Sequence, residues 1–93
     1  MGRLDDKVAV VTGGASGFGR GIAEAYAREG AQIVIGDVDG DRAEAVAKAI
    51  GDAAVSVRAD VTLQADVEAM IARAVTQFGG LDILVNNAGT THT

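Results

Sequence analysis

Three glycines and a few acids and amides carry the chemistry legible in this chain. Gly13, Gly17 and Gly19 lie in "GGASGFG", between the apolar run "VAVVT" and the segment "GRGIAEAYAREG", whose charges recur every fourth residue. Clustering glycine where a strand hands over to a helix costs backbone entropy and calls for a local reason. An approaching anion supplies one. Missing side chains let the backbone turn tightly and let a pyrophosphate come close, while free N–H groups and the helix dipole attract it. The spacing is G-x-x-x-G-x-G rather than the commoner G-x-G-x-x-G. Asp37 ends the second apolar run at about the 20-residue separation where a carboxylate accepts hydrogen bonds from an adenosine ribose and repels a 2′-phosphate. Helix capping or simple solvation is the alternative role, and Asp39 and Asp41 are read that way. Asp60 closes the third apolar run in "RADVT", at the sheet edge where an adenine ring would lie; as a turn residue it needs no ligand. The fourth run, "LDILVNNAG", ends in two amides and a glycine. Asn86 is read as structural, satisfying backbone groups at the strand end or holding the glycine loop, and Gly89 permits close approach.

These residues need a sheet to position them. Apolar runs at 7–12, 32–37, 54–60 and 81–87 predict four strands. The first, second and fourth are nearly continuous, as in parallel strands buried on both faces. Three helices are predicted between them. In the first, Ile22, Ala25 and Tyr26 share one face, Arg20, Glu24 and Arg28 another, and Gly30 is the stop. The second opens at Asp39 or Asp41, carries Val46 and Ile50 one turn apart and stops at Gly51. The third takes Thr62 as N-cap, buries Val67, Met70, Ile71, Ala74, Val75 and Phe78, and ends at Gly79-Gly80. Right-handed crossovers then give the spatial order 3-2-1-4, with helices one and two on one face and helix three on the other. The switch in direction between strands 1 and 4 opens a crevice at their carboxyl ends. Both the glycine cluster and "NNAG" fall there.

Composition bounds the partners. The 93 residues, 48% hydrophobic and 23% charged, suit one small globular domain or a piece of one. A net charge of −5 argues against nucleic acid or an anionic membrane surface as the main partner. The absence of cysteine excludes a disulfide framework, an iron–sulfur cluster and a thiolate zinc site. The opening "MGRLDDKVAV" carries charge where a secretory signal is apolar, and Asp6 breaks the myristoylation pattern. A soluble, cytoplasmic protein is the expectation.

The motifs resemble those of the short-chain dehydrogenase/reductase family. "TGGASGFG" (Thr12–Gly19) matches its T-G-x-x-x-G-x-G motif, "NNAG" (Asn86–Gly89) its second motif, and Asp60-Val61 its adenine-binding element. The likeness runs over essentially the whole chain and is nearest to the bacterial branch of 3-oxoacyl-carrier-protein reductases and glucose dehydrogenases. It implies a Rossmann-type doubly wound α/β fold, here the first half, with residues 1–93 forming the N-terminal portion of a single NAD(P)-binding domain. It also implies roles: Gly13, Ser16, Gly17, Phe18 and Gly19 around the pyrophosphate, Asp37 on the ribose, Asp60 and Val61 at adenine, and Asn87, Ala88 and Gly89 beside the nicotinamide-side ribose. Relatives preferring NADP carry a basic residue just before the second glycine or just after strand 2. Ser16 and Val38 hold those places, so NAD is expected over NADP, and Arg20 and Arg42 are read as solvated helix residues.

The same resemblance places the family's catalytic Ser and Tyr-x-x-x-Lys after "NNAG". The only tyrosine here, Tyr26, is followed four residues on by Gly30, and the only histidine, His92, is read as a loop residue. No catalytic residue and no metal ligand is assigned. The expected parent is an oxidoreductase moving hydride between NAD(H) and an alcohol or carbonyl, homo-oligomeric at full length, of which this chain is an inactive cofactor-binding part. A non-catalytic nucleotide-binding module or truncated remnant is the alternative. A methyltransferase using S-adenosylmethionine also places glycines after strand 1 and an acid after strand 2, but its cofactor has no pyrophosphate and it leaves "NNAG" unexplained.

Overall fold

The computed structural model describes residues 2–87. Four parallel strands, β1 (Val8–Thr12), β2 (Gln32–Asp37), β3 (Ala54–Arg58) and β4 (Ile83–Asn86), alternate with helices α1 (Gly17–Arg28), α2 (Gly40–Ile50) and α3 (Gln64–Phe78). The strand order is β3-β2-β1-β4. The expected doubly wound α/β half-sheet is therefore present. β1 runs beside both β2 and β4, with Val10 opposite Val34 on one side and Leu84 on the other.

Side-chain alternation explains why the central runs are apolar throughout. Ala9 and Val11 of β1 and Ile33 and Ile35 of β2 point to the face covered by α1 and α2, where Ala23, Ala43, Val46 and Ala47 meet them. Val8, Val10 and Val34 point the other way, onto Met70 and Ala74 of α3. Small alanines let the helices approach closely. Gly36 extends this: a Cβ there would overlap Met70 Sδ, so the glycine makes room for the largest fully buried side chain beneath α3.

β4 departs from the expectation of burial on both faces. Ile83 and Val85 pack toward the α1/α2 side, whereas Leu84 is 51% exposed. The reason is coverage: α3 packs on β1, β2 and β3, and no described element lies over β4 on that face. For the same reason Val75, expected in the buried stripe of α3, is 53% exposed. β3 and β4 are also shorter than their apolar runs.

The caps differ in one place. Asp39 caps α2, its Oδ1 accepting from Arg42 N–H at 3.1 Å. Gly79 closes α3 in the left-handed conformation that favours glycine (φ 90°). Thr62 does not cap α3; the N-cap is Leu63, with no side-chain bond. The Thr62 hydroxyl is committed to Asp60 Oδ1 at 2.6 Å. An unanticipated contact fixes the start of β4, where Val8 N–H donates to Asp82 Oδ2 at 2.9 Å and Asp82 N–H to the Val8 carbonyl at 2.8 Å.

Met70 is fully buried and fills the space under α3 that Gly36 leaves. Met70→Ala is expected to lower stability by about 2–5 kcal/mol, the range for emptying a core position of this size. Urea denaturation with an unchanged m-value will check it.

Candidate functional site

The site grows from the turn that joins β1 to α1. Gly13 takes φ 65°, which aims the chain upward out of the sheet. Its carbonyl then becomes an acceptor for several groups: Ser16 N–H at 3.2 Å, Ser16 Oγ at 2.9 Å and Asn87 Nδ2 at 3.4 Å. Gly19 lies against the same carbonyl, which a Cβ at that position would overlap. Gly17 differs from both. A Cβ added there would meet nothing, so its open side is available to a ligand. The glycines thus divide the work into a turn, an open approach and a close helix contact, rather than all three making room for an anion.

The first turn of α1 is free to receive negative charge. Ser16 is its N-cap but makes no side-chain cap bond, because its hydroxyl turns back to Gly13. No acid lies in that turn, whereas α2 carries Asp41 and α3 carries Asp66 in theirs. The first N–H groups of a helix have no intrahelical partner. Phe18, expected near the pyrophosphate, stands 84% exposed beside Gly17.

Asp37 ends β2 with both carboxylate oxygens engaged by backbone: Oδ2 accepts from Ala15 N–H at 3.1 Å and Oδ1 from Asp39 N–H at 3.0 Å. It therefore shapes the glycine loop and the entry to α2. Each oxygen retains a further acceptor lone pair. Asp60 is built differently. Its Oδ1 accepts from the Thr62 hydroxyl at 2.6 Å and Thr62 N–H at 2.9 Å, while its own N–H donates to Asp66 Oδ2 at 2.9 Å. The Thr62 hydroxyl and then the Thr62 N–H hold the Asp60 carboxyl below its ordinary value, against desolvation and with a still smaller contribution from the charge of Arg58.

A cleft of about 240 Å³ joins these groups, lined by Gly13, Asp37, Val38, Ala59, Asp60, Val61 and Thr62. Gly13, Asp37, Asp60 and Val61 had been singled out from sequence. Val38 enters the sequence reading only as a position without a cation for a 2′-phosphate, and Ala59 and Thr62 have no part in the cleft there. On the other side of the loop, the Thr12 hydroxyl lies 3.2 Å from the Val85 carbonyl and 3.2 Å from Asn86 Oδ1, tying the ends of β1 and β4 together. Asn86 takes part in this tie through its side-chain oxygen. Arg42 is not merely solvated: its Nη2 lies 3.4 Å from the Ala15 carbonyl. Ala88, Gly89 and His92 lie outside the described residues.

The model of the family described as "short chain dehydrogenase" matches residues 7–93. The chain belongs to that family. Among its relatives, galactitol 2-dehydrogenase of Agrobacterium fabrum is 51% identical over 86 residues, covering 92% of this chain and 34% of the relative. Sorbitol dehydrogenase of Cereibacter sphaeroides is 49% identical, with the same coverages of 92% and 34%. In structure, the short-chain dehydrogenase fold here superimposes with a TM-score of 0.90 on 3-ketoacyl-(acyl-carrier-protein) reductase from Brucella melitensis complexed with NADH. That protein is 52% identical in sequence, and the match covers 97% of this chain and 37% of the other. The chain spans about a third of the length of the relatives it matches. Among the described residues no helix is long and apolar enough to cross a membrane.

Two outcomes follow from this geometry. Gly19→Ala should cost roughly 1–3 kcal/mol, since the added methyl must displace the Gly13 carbonyl. Gly17→Ala should leave stability unchanged or raise it by up to about 1 kcal/mol; thermal melts followed by circular dichroism will compare the pair. Thr62→Val should raise the Asp60 pKa toward the ordinary value of about 3.9. Because Asp60 titrates lower folded than unfolded, its stabilisation is complete above that ordinary value and fades as pH falls through the depressed one. Carboxyl-detected NMR titration will report the shift.

Proposed function

We propose that this chain is the cofactor-binding part of an NAD-dependent alcohol–carbonyl oxidoreductase. The carrying observation is the cleft lined by Gly13, Asp37, Asp60 and Val61, together with an α1 N-terminus that no side chain caps. Its donor set suits a dinucleotide. The open face at Gly17 and the first N–H groups of α1 receive the pyrophosphate, helped by the helix dipole. The unused lone pairs of Asp37 accept from the adenosine ribose hydroxyls. Val38 and Val61 give a purine ring apolar contact, and Asp60 marks the polar edge beside it. The NADH complex of the Brucella melitensis reductase supports a nicotinamide dinucleotide in this fold.

The preference for NAD over NADP rests on the Asp37 carboxylate, which repels a 2′-phosphate, and on Ser16 and Val38, which offer it no cation. Asn87 holds the glycine loop through Gly13 and is assigned, with Ala88 and Gly89, to the nicotinamide-side ribose. When bound, the dinucleotide carries the hydride. The chain's own part is to bind and orient it. Carbonyl reduction also needs a positioned proton donor. This sequence contains no Tyr-x-x-x-Lys, and Tyr26 is packed against the core beneath α1. The 93-residue chain is accordingly proposed to bind cofactor without turning over a carbonyl substrate.

Titration calorimetry with NADH and NADPH tests the reading. Asp37→Ala is expected to weaken NADH binding by roughly 10- to 150-fold, the loss of a charge-assisted hydrogen bond, and to narrow the gap to NADPH. An unchanged cofactor ratio in that variant would refute the ribose assignment.

A further inference from the structure

Asp60 lines the cleft with all its polar atoms but one engaged. Its N–H donates to Asp66 Oδ2 at 2.9 Å, and its carbonyl accepts from Leu63 N–H at 2.9 Å. Its Oδ1 takes both the Thr62 hydroxyl at 2.6 Å and the Thr62 N–H at 2.9 Å. Among the described residues no hydrogen bond or ion pair reaches Oδ2. The backbone on either side is held as well. Ala59 is buried and donates its N–H to the Asp37 carbonyl at 2.9 Å, and Val61 packs on the core beneath α3. An ionised carboxylate can only accept. Asp60 therefore offers a ligand one acceptor oxygen, and the Thr62 hydroxyl on the other oxygen sets its orientation.

We propose that Thr62 is a positioning residue for the base of the cofactor: it fixes Asp60 so that Oδ2 accepts from a purine carrying a 6-amino group and rejects one carrying a 6-oxo group. This rests on the placement of the adenine ring beside Val38, Val61 and Asp60. A 6-oxo group would set lone pair against lone pair. The carboxylate relieves that repulsion by turning aside, so the penalty on the wrong base is no larger than the cost of turning. With both Thr62 donors on Oδ1, turning gives up two hydrogen bonds to a charged group. Without the hydroxyl it gives up one. Thr62 thus sets how strictly the base is read, and does so through Asp60.

NADH and its hypoxanthine analogue probe this contact, since the two differ only in the base. Calorimetry measures both affinities for the unsubstituted chain, Thr62→Val, Thr62→Ser and Asp60→Asn, with circular dichroism verifying that each is folded. The readout is the ratio of the two affinities, in which a general loosening of the cleft cancels. Thr62→Val removes the hydroxyl, keeps the backbone N–H and nearly keeps the volume. It should lower the preference for NADH by about 2- to 12-fold, the span of one hydrogen bond, and Thr62→Ser should restore that preference. Asp60→Asn should lower it further, because an amide can turn its NH2 to the 6-oxo group. A loss in Asp60→Asn with an unchanged ratio in Thr62→Val overturns the proposal and leaves the adenine assignment standing. Failure of Thr62→Ser to restore the preference, or equal binding of the two ligands by the unsubstituted chain, overturns the proposal as well. An unchanged ratio in Asp60→Asn overturns the adenine assignment and the proposal with it. Binding of neither ligand by the unsubstituted chain overturns the cofactor reading on which both stand.

Discussion

The Gly13 carbonyl is the point on which the site depends. It sits where β1 leaves the sheet, and the Ser16 hydroxyl, the Ser16 N–H and the Asn87 amide all converge on it. The first turn of α1 packs on it so closely that a Cβ at position 19 would overlap it. Turning the Ser16 hydroxyl inward has an outward effect: the helix lacks a side-chain cap, and its leading N–H groups have no acceptor within the helix. A helix start is usually stabilised locally by an Asp, Ser or Thr oxygen. At α1 no side-chain oxygen supplies it.

The sheet provides the rigid frame around that point. Both faces of β1 and β2 are filled, by α1 and α2 on one side and α3 on the other, so the strand ends cannot shift without disturbing two cores. Asp37 exploits this fixed end. Anchored at the end of β2, it reaches across to Ala15 and forward to Asp39, linking the glycine loop to the start of α2. Its carboxylate thus holds two backbone segments at once. Asp60 does similar work at the third strand end, where its turn with Thr62 also lowers the pKa of its carboxyl.

Topology and motif placement were legible in the sequence because they follow from strong local signals. Continuous apolar runs at 7–12 and 32–37 fit strands covered on both faces, and crossover handedness did the rest. The side-chain assignments that went astray share a different cause. Thr62 looked like a cap because hydroxyl residues often cap helices, but a carboxylate two residues earlier competed for the same hydroxyl. Val75 fitted the helical stripe, yet burial depends on where the underlying sheet stops. Arg42 looked solvated because sequence spacing along α2 says nothing of the loop that folds back beside it. Periodicity reports on an element's own faces; these cases were decided by neighbours distant in the chain.

The contacts that join β4 to β1 have a kinetic meaning. Asp82 to Val8, Thr12 to Val85 and Asn87 to Gly13 are separated by 74, 73 and 74 residues in the chain. Closing so long a loop spends chain entropy before any contact returns it, and such pairings form slowly. The β1–α1–β2 unit can assemble from near neighbours, whereas the Asn87 side of the glycine loop waits for the fourth strand to arrive. The two sides of the glycine loop are therefore tied down over very different lengths of chain: Asp37 reaches Ala15 across 22 residues, and Asn87 reaches Gly13 across 74.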